Sequence, residues 1–488
     1  MRHDLKGAPV LAAVAMRLVE RRPDEVRGFE DSSFCQEASM RREIQEEAVS
    51  HLQTLIRFDT SNPPGNETPA AEYVVDTLAE AGIEARVLEH APGRGNAVAR
   101  LRGTGAAPPL LLMAHLDVVP ARAEDWTHPP FAGQVAEGYV WGRGAVDTKN
   151  ATAIQMTAMR AIARAGVPLT RDLLLAAMAD EEVGGGGAAF LAAEHPEWVR
   201  AEYALNEGGG EALIVGGRRV YAFQVAQKGG MLITMIGRGQ AGHSSVPYPE
   251  GAISRLARAI LRLKERPLPH RVIPTTRRFF EGLADAVDDP ELAAALRDML
   301  DPGKQMTAVE RLGVDGYLSR MFSAMMRNIA EPTILRAGYK ANVMPAEAEA
   351  CVNARGLPGV AADELLGEVR EAAGEEVELR PTEFAPGIEF DLPDEDPLLI
   401  SARAALGRWD PGSIVLPYLS CGGTDAMYLE PLGTQVIGFT PMRADAAGRV
   451  LELAHANDER ISVENLLFGT QVLIDLICHL NDVPSILL

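Results

Sequence analysis

Only four cysteines occur in 488 residues, Cys35, Cys351, Cys421 and Cys478, and they lie far apart. With no CxxC and no short pairing, a disulfide framework and a thiolate zinc site are both excluded, and a reducing, cytoplasmic compartment is expected. Basic residues are in the minority: 47 Lys and Arg face 68 Asp and Glu, giving a formal charge of −21 and a pI near 5.0. No long Lys/Arg run gathers those cations, so nucleic-acid binding is not expected. There is also no run of about 18 uncharged apolar residues, so no membrane span is expected. Ala8–Met16 is apolar behind Arg2 and Lys6, a faint echo of an export signal. Arg17 comes directly after it and no clear cleavage site does, so the stretch reads as an amphipathic leader. Neither glycine run, Gly184–Gly187 or Gly208–Gly210, is followed by Lys-Ser or Lys-Thr or completes a dinucleotide fingerprint. They read instead as backbone passing close to a metal site.

The rest of the composition is ordinary for a soluble chain, with 47% hydrophobic and 24% charged residues. Four short apolar runs end abruptly in polar or glycine-rich sequence: Leu110–Ala114, Leu173–Met178, Ala204–Asn206 and Ile414–Leu416. Helical patterns precede them at Arg41–Ile56 and Pro69–Ala81, and one lies between the first two at Ala151–Ala165. Continuous apolar strands alternating with helices predict an α/β domain with a mixed sheet covered on both faces. From about Val225 the pattern changes to strand, helix, strand, helix (Leu232–Ile236, Gly251–Leu263, Asn342–Ala354, Ala361–Ala373), which predicts an inserted, smaller α+β module of ferredoxin-like type. The expected organisation is a leader over 1–40, a catalytic domain over 41–224 and 387–488, and the inserted module over 225–386. That module carries an extra helical segment at roughly 266–331.

The residues able to do chemistry cluster at the ends of the apolar strands. His115 and Asp117 come after the first, Asp180, Glu181 and Glu182 after the second, and Glu207 after the third. Asp147 sits in a glycine-rich turn, and His455 near the C-terminus. Several carboxylates at the ends of apolar strands are costly unless a cation neutralises them. Imidazole plus carboxylate without thiolate suits zinc, and also cobalt or manganese. His115 and Asp117 are two apart, so a continuing strand points both to one face, where Asp117 can accept from the second imidazole nitrogen. Adjacent Glu181 and Glu182 should point in different directions, one to metal and one to water.

These residues resemble the co-catalytic zinc family of aminoacylase, acetylornithine deacetylase, succinyl-diaminopimelate desuccinylase, carnosinase and carboxypeptidase G. The resemblance runs from about Glu46 to Ile477 and is nearest to the longer-lidded peptidase and N-acyl-amino-acid hydrolase members. It implies two zinc ions per subunit (cobalt or manganese being alternatives) bridged by Asp147, one completed by His115 and Glu207, the other by Glu182 and His455. It also implies a cis peptide after Asp147, Glu181 as general base and Asp117 as the residue behind His115. His243, in Gly242-His243-Ser244-Ser245, corresponds to a lid histidine that reaches a partner's active site, implying a homodimer formed through the lid. Asn342 and Arg355 correspond to residues holding the substrate carboxylate, and Gly422, Gly423 and Thr424 to a loop contacting substrate. Cys421 in that loop reads as a small residue rather than a nucleophile. Glu207 at the third ligand position implies carboxypeptidase or aminoacylase chemistry on a small N-acyl amino acid or short peptide. Phe279, Phe280, Met299, Met306, Met321, Phe322, Met325 and Met326 in the insertion read as helix core, or more sharply as a long-chain acyl pocket. A catalytically silent metal-bound scaffold and a nucleotide-dependent α/β enzyme are the rival readings.

Overall fold

A computed structural model describes residues 32–445 and 450–487. The leader stretch Ala8–Met16 lies outside them. The first described helix, Ser32–Arg57, begins within the segment assigned to the leader.

Ten strands form one mixed sheet. Its centre is parallel: Leu173–Met178, Leu110–His115 and Tyr203–Asn206 lie side by side, and Gln435–Gly438 continues beside the last. In Leu110–His115 every residue is buried, with Leu110 and Leu112 facing one core and Leu111 and Met113 the other. That is why the run carries no polar alternation. Helices Ser32–Arg57, Lys149–Ala165, Pro397–Trp409 and Val463–Leu480 pack together on one side, and Gly186–Glu194 covers the other. Val463–Leu480 is the one helix among the described residues long and apolar enough to cross a membrane, and here it fills the core between its neighbours.

The chain leaves this sheet at the end of Arg218–Gln227, slightly beyond Val225, and enters a four-stranded antiparallel sheet. Its order across the sheet is Ile329–Ala337, Glu347–Gly356, Gly229–Arg238 and Val377–Pro381, with helices Ala252–Glu265 and Ala362–Ala373 supplying the βαββαβ connectivity of a ferredoxin-like fold. The expected strand Asn342–Ala354 is broken. Val343–Met344 pairs instead with Gly242–His243, and after Pro345 the long strand starts at Glu347. Helices Pro274–Ala286, Pro290–Asp298, Gln305–Arg311 and Gly316–Met325 make up the insertion. Six of its eight singled-out apolar side chains are buried, and Phe279, Phe280 and Phe322 form an edge-to-face cluster with centroids 5.4–5.7 Å apart. Phe279 also meets Tyr418 of the large sheet, so the set is core that ties the insertion to both sheets.

Candidate metal centre and substrate cleft

Because the three central strands are parallel, the residues after them leave the sheet at one edge, where open α/β sheets collect ligands. His115 ends the middle strand. Its Nε2 lies 3.1 Å from Asp147 Oδ1 and 3.7 Å from Glu207 Oε2. The other oxygen of Asp147 faces the second imidazole: His455 Nε2 is 3.1 Å from Asp147 Oδ2 and 3.1 Å from Glu182 Oε2. His455 reaches this place from a left-handed backbone, φ +62°. Ligand atoms of His115, Glu181 and Glu207 lie within 4.8 Å of one another, as do those of His115, Asp147 and Glu182. The Asp147–Thr148 peptide is cis.

Asp117 occupies a different place from the one its spacing suggested. The acceptor for His115 Nδ1 is the Asp117 main-chain carbonyl, at 2.9 Å, while the nearer carboxylate oxygen is 3.6 Å away. That carboxylate is turned to accept the Glu181 N–H at 3.0 Å and the Glu182 N–H at 3.1 Å. Glu459, which sequence reading passed over, accepts from Gly144, Val146 and Asp147 N–H groups and from Arg143 Nη1. It holds the Asp147 turn from the same segment that carries His455. Its only sequence signal was proximity to that histidine.

The donor set calls for cations. No Lys or Arg pairs with Asp147, Glu181, Glu182 or Glu207 among the described residues. Burial opposes protonation of His115, yet Glu207 and Asp147 hold its imidazole well above the ordinary range. Hydrogen bonds to Asp147 and Glu182 push His455 up to about 10. Burial, then the Glu207 charge, raises the Glu181 carboxyl well above its ordinary value. Two imidazoles driven toward protonation by acids without basic partners are a fitting donor set for divalent metal.

Between the two sheets lies a cleft of about 540 Å³, lined by Glu181, Glu182, His455, Arg355, Gly423 and Thr424 among others. Arg355 stands opposite Gly230 across its strand pair, and a Cβ on Gly230 would sit 3.2 Å from the guanidinium. The missing side chain gives Arg355 room to lie along the cleft. Among the described residues the Arg355 guanidinium has no hydrogen-bond or ion-pair partner. Thr424 Oγ1 donates to Gln227 Oε1 at 2.8 Å, tying the loop to the crossing strand, whereas Gly422 is exposed outside the lining. Burial raises the Cys421 thiol, the reverse of an activated nucleophile.

Other expected site residues lie elsewhere. His243 is exposed, its Nδ1 held 2.7 Å from Ser245 Oγ, and Asn342 sits next to it through Ser244 N–H donating to Asn342 O. Neither lines the cleft, and the broken strand is why Asn342 is separated from Arg355. None of the eight apolar insertion residues lines it either; its apolar wall is Met231, Leu232, Pro386 and Met427. Gly184 and Gly185 line the cleft beside Glu181, Glu182 and His455, whereas Gly187 and Gly208–Gly210 pack closely against other parts of the chain. A Cβ on Gly187 would lie 2.2 Å from Asn96 Oδ1, and one on Gly209 2.3 Å from Gly438 O.

The model of peptidase family M20/M25/M40 matches residues 111–479. Aminoacylase-1 of Sus scrofa is 26% identical over 458 residues, spanning 92% of this chain and 99% of its own. The N-fatty-acyl-amino acid synthase/hydrolase PM20D1 of Xenopus tropicalis is 28% identical over 379 residues, 76% of this chain and 72% of its own. Of solved structures, the M20 family metallo-carboxypeptidase Sso-CP2 from Sulfolobus solfataricus superposes with a TM-score of 0.66 at 18% identity, covering 90% of this chain and 100% of that one. Sequence and fold therefore agree, and the chain belongs to peptidase family M20/M25/M40, as a hydrolase acting on C–N bonds.

Proposed function

We propose that this hydrolase cleaves an amide bond beside a free carboxylate, in N-acyl amino acids or dipeptides, with two zinc ions held by Asp147, His115, Glu207, Glu182 and His455. The observation that carries this reading is an unpartnered Arg355 guanidinium in the same cleft as His455, Glu182 and Glu181. Divalent metal in such a site supplies Lewis acidity, polarising a carbonyl and acidifying water. Glu181 takes the proton of the attacking water and hands it to the departing amine. Arg355 grips the free carboxylate with its guanidinium fork, a geometry Lys cannot offer. Gly423 N–H and the Thr424 main chain flank the substrate. His243 and Asn342 belong to this reading as groups supplied across a homodimer interface, His243 donating to the developing oxyanion.

A narrower reading takes long acyl chains. It rests on Met231, Leu232 and Met427 in the cleft, with Leu232 46% exposed, and on the similarity to PM20D1.

The test is a panel of N-acyl amino acids and dipeptides, each with a free and an amidated C-terminus, assayed with zinc, cobalt and manganese. Cleavage of the free acids alone is expected, with Arg355→Met raising KM at least about tenfold. Equal turnover of the amidated forms would remove the carboxylate from the reading. A rate that does not increase along an acyl series would remove the narrower version.

A further inference from the structure

We propose that Arg94 and Asn62 are positioning residues, which together hold the Asp180–Glu182 turn so that Glu181 and Glu182 face the imidazoles. The inference rests on the proposed roles of those two glutamates as general base and metal ligand.

Strand Arg94–Leu101 runs antiparallel to Leu173–Met178, with Ala97 opposite Ala177, so its first residue arrives beside the turn after Met178. There Arg94 makes a forked pair with Glu67, Nε to Oε2 at 2.7 Å and Nη2 to Oε1 at 2.8 Å, and the Glu67 side chain is fully buried. The fork is thereby aimed, and the same Nη2 reaches Asp180 Oδ1 at 2.8 Å. A Cβ on Gly65, whose φ is +79°, would lie 2.4 Å from the Arg94 Cζ, so a glycine is what admits the guanidinium.

Asn62 closes the chain of contacts. Its Nδ2 donates to the same Asp180 oxygen at 2.9 Å and to Asp117 Oδ2 at 2.8 Å. Main-chain bonds hold Asn62 along the stretch carrying Asp117: Asn62 N–H donates to Val118 O, and Val118 N–H to Thr60 O. Asp117 in turn accepts the N–H groups of Glu181 and Glu182. Asp180, at φ +75°, needs support to stay in the left-handed region, and its Oδ2 also accepts from Gly186 N–H at 3.2 Å. The network therefore ends on the backbone of the two glutamates and not in the hydrophobic core. One guanidinium serves two carboxylates, Glu67 and Asp180, and removing it leaves a buried acid unpaired.

The experiment uses the full chain stripped with a chelator and titrated with Co²⁺, monitored by visible absorbance. It is repeated for Arg94→Met, Arg94→Lys and Asn62→Ala. Turnover is measured on the N-acyl amino acid the wild type cleaves fastest. For Arg94→Met and Asn62→Ala, the equivalent of Co²⁺ assigned to Glu182 and His455 should bind about 10–100-fold more weakly, with the other unchanged. At saturating metal kcat should fall at least about thirtyfold while KM moves less than about threefold. Arg94→Lys, which keeps the charge without the fork, should fall between. Two wild-type Co²⁺ affinities together with wild-type kcat in both variants would overturn the proposal. Loss of both equivalents together with the cooperative melt in Asn62→Ala would overturn it too, since that marks plain destabilisation. Should Arg94→Met not fold, Asn62→Ala decides, because it breaks the link to Asp180 without stranding Glu67. A wild type inert on every substrate would count against the amide-hydrolase reading, and the Co²⁺ titrations would still decide this one.

Discussion

Glu181 and Glu182 are consecutive yet meet different partners. Glu182 lies 3.1 Å from His455 and groups with His115 and Asp147, while Glu181 groups with His115 and Glu207. Glu181→Gln keeps shape and hydrogen bonding but cannot take a proton, so kcat should drop by roughly three orders of magnitude with metal content unchanged. A fully active variant, with metal content confirmed by elemental analysis, would end the general-base assignment. Asp425 offers a second residue-level test. Burial, with Glu207 also raising it against an opposing His115, pushes its carboxyl up to about 8, and its Oδ2 has no hydrogen-bond partner. The unfolded chain loses this proton near the ordinary aspartate value of 3.8, while the folded chain keeps it to about 8. Between those values the folded state binds more protons, so its stability falls as pH rises. In chelator-treated protein, Asp425→Asn should therefore melt above wild type near pH 7, and the gain should vanish toward pH 4. Melting curves across that window check it; a gain independent of pH would mean the carboxyl is not the cause.

At the scale of elements, the insertion is the place to separate stability from specificity. Phe322 is fully buried among Phe279 and Phe280, so Phe322→Ala should cost about 3–5 kcal/mol. Its kcat/KM and its preference along an acyl series should stay at wild-type values, because the ring does not line the cleft. Denaturant unfolding and a substrate series measure the two independently. The contrast between buried and exposed elements also explains which of them were legible in the sequence. Leu110–His115 and Leu173–Met178 are buried on both faces, so their apolar runs and the acids ending them stood out. The strands Ile329–Ala337 and Val377–Pro381 are edges of the small sheet with mostly exposed side chains, and no apolar pattern marked them. Asn62 sat in a stretch readable only as a turn, and Arg94 at the start of a strand. Their importance comes from the antiparallel register with Leu173–Met178 and from the crossing of Thr60–Asn62 past Val118, neither of which leaves a local trace. The left-handed backbone of His455 and the break at Pro345 were equally invisible to periodicity.

For the whole molecule, the proposal that His243 serves the site of a partner subunit predicts how two variants behave when mixed. The histidine projects from the small sheet on the two-residue ladder Gly242–His243, exposed beside Asn342, and both lie outside the cleft of their own chain. If each lid serves a partner's site, then Glu181→Gln and His243→Ala subunits are separately inactive for different reasons. In a hybrid dimer the Glu181→Gln subunit still lends an intact His243 to the site of its partner, whose Glu181 is intact. The reciprocal site carries both defects. Random exchange makes half the dimers hybrid, each with one working site, so mixing equal amounts should restore about a quarter of wild-type activity. The measurement is turnover after subunits are exchanged in mild denaturant and refolded together, with the unmixed variants treated identically. Recovery should track the hybrid fraction as the mixing ratio changes and peak at equal amounts. An absence of recovery, while native mass spectrometry shows hybrids present, would place His243 outside the chemistry. Full activity of His243→Ala alone would do the same without any mixing.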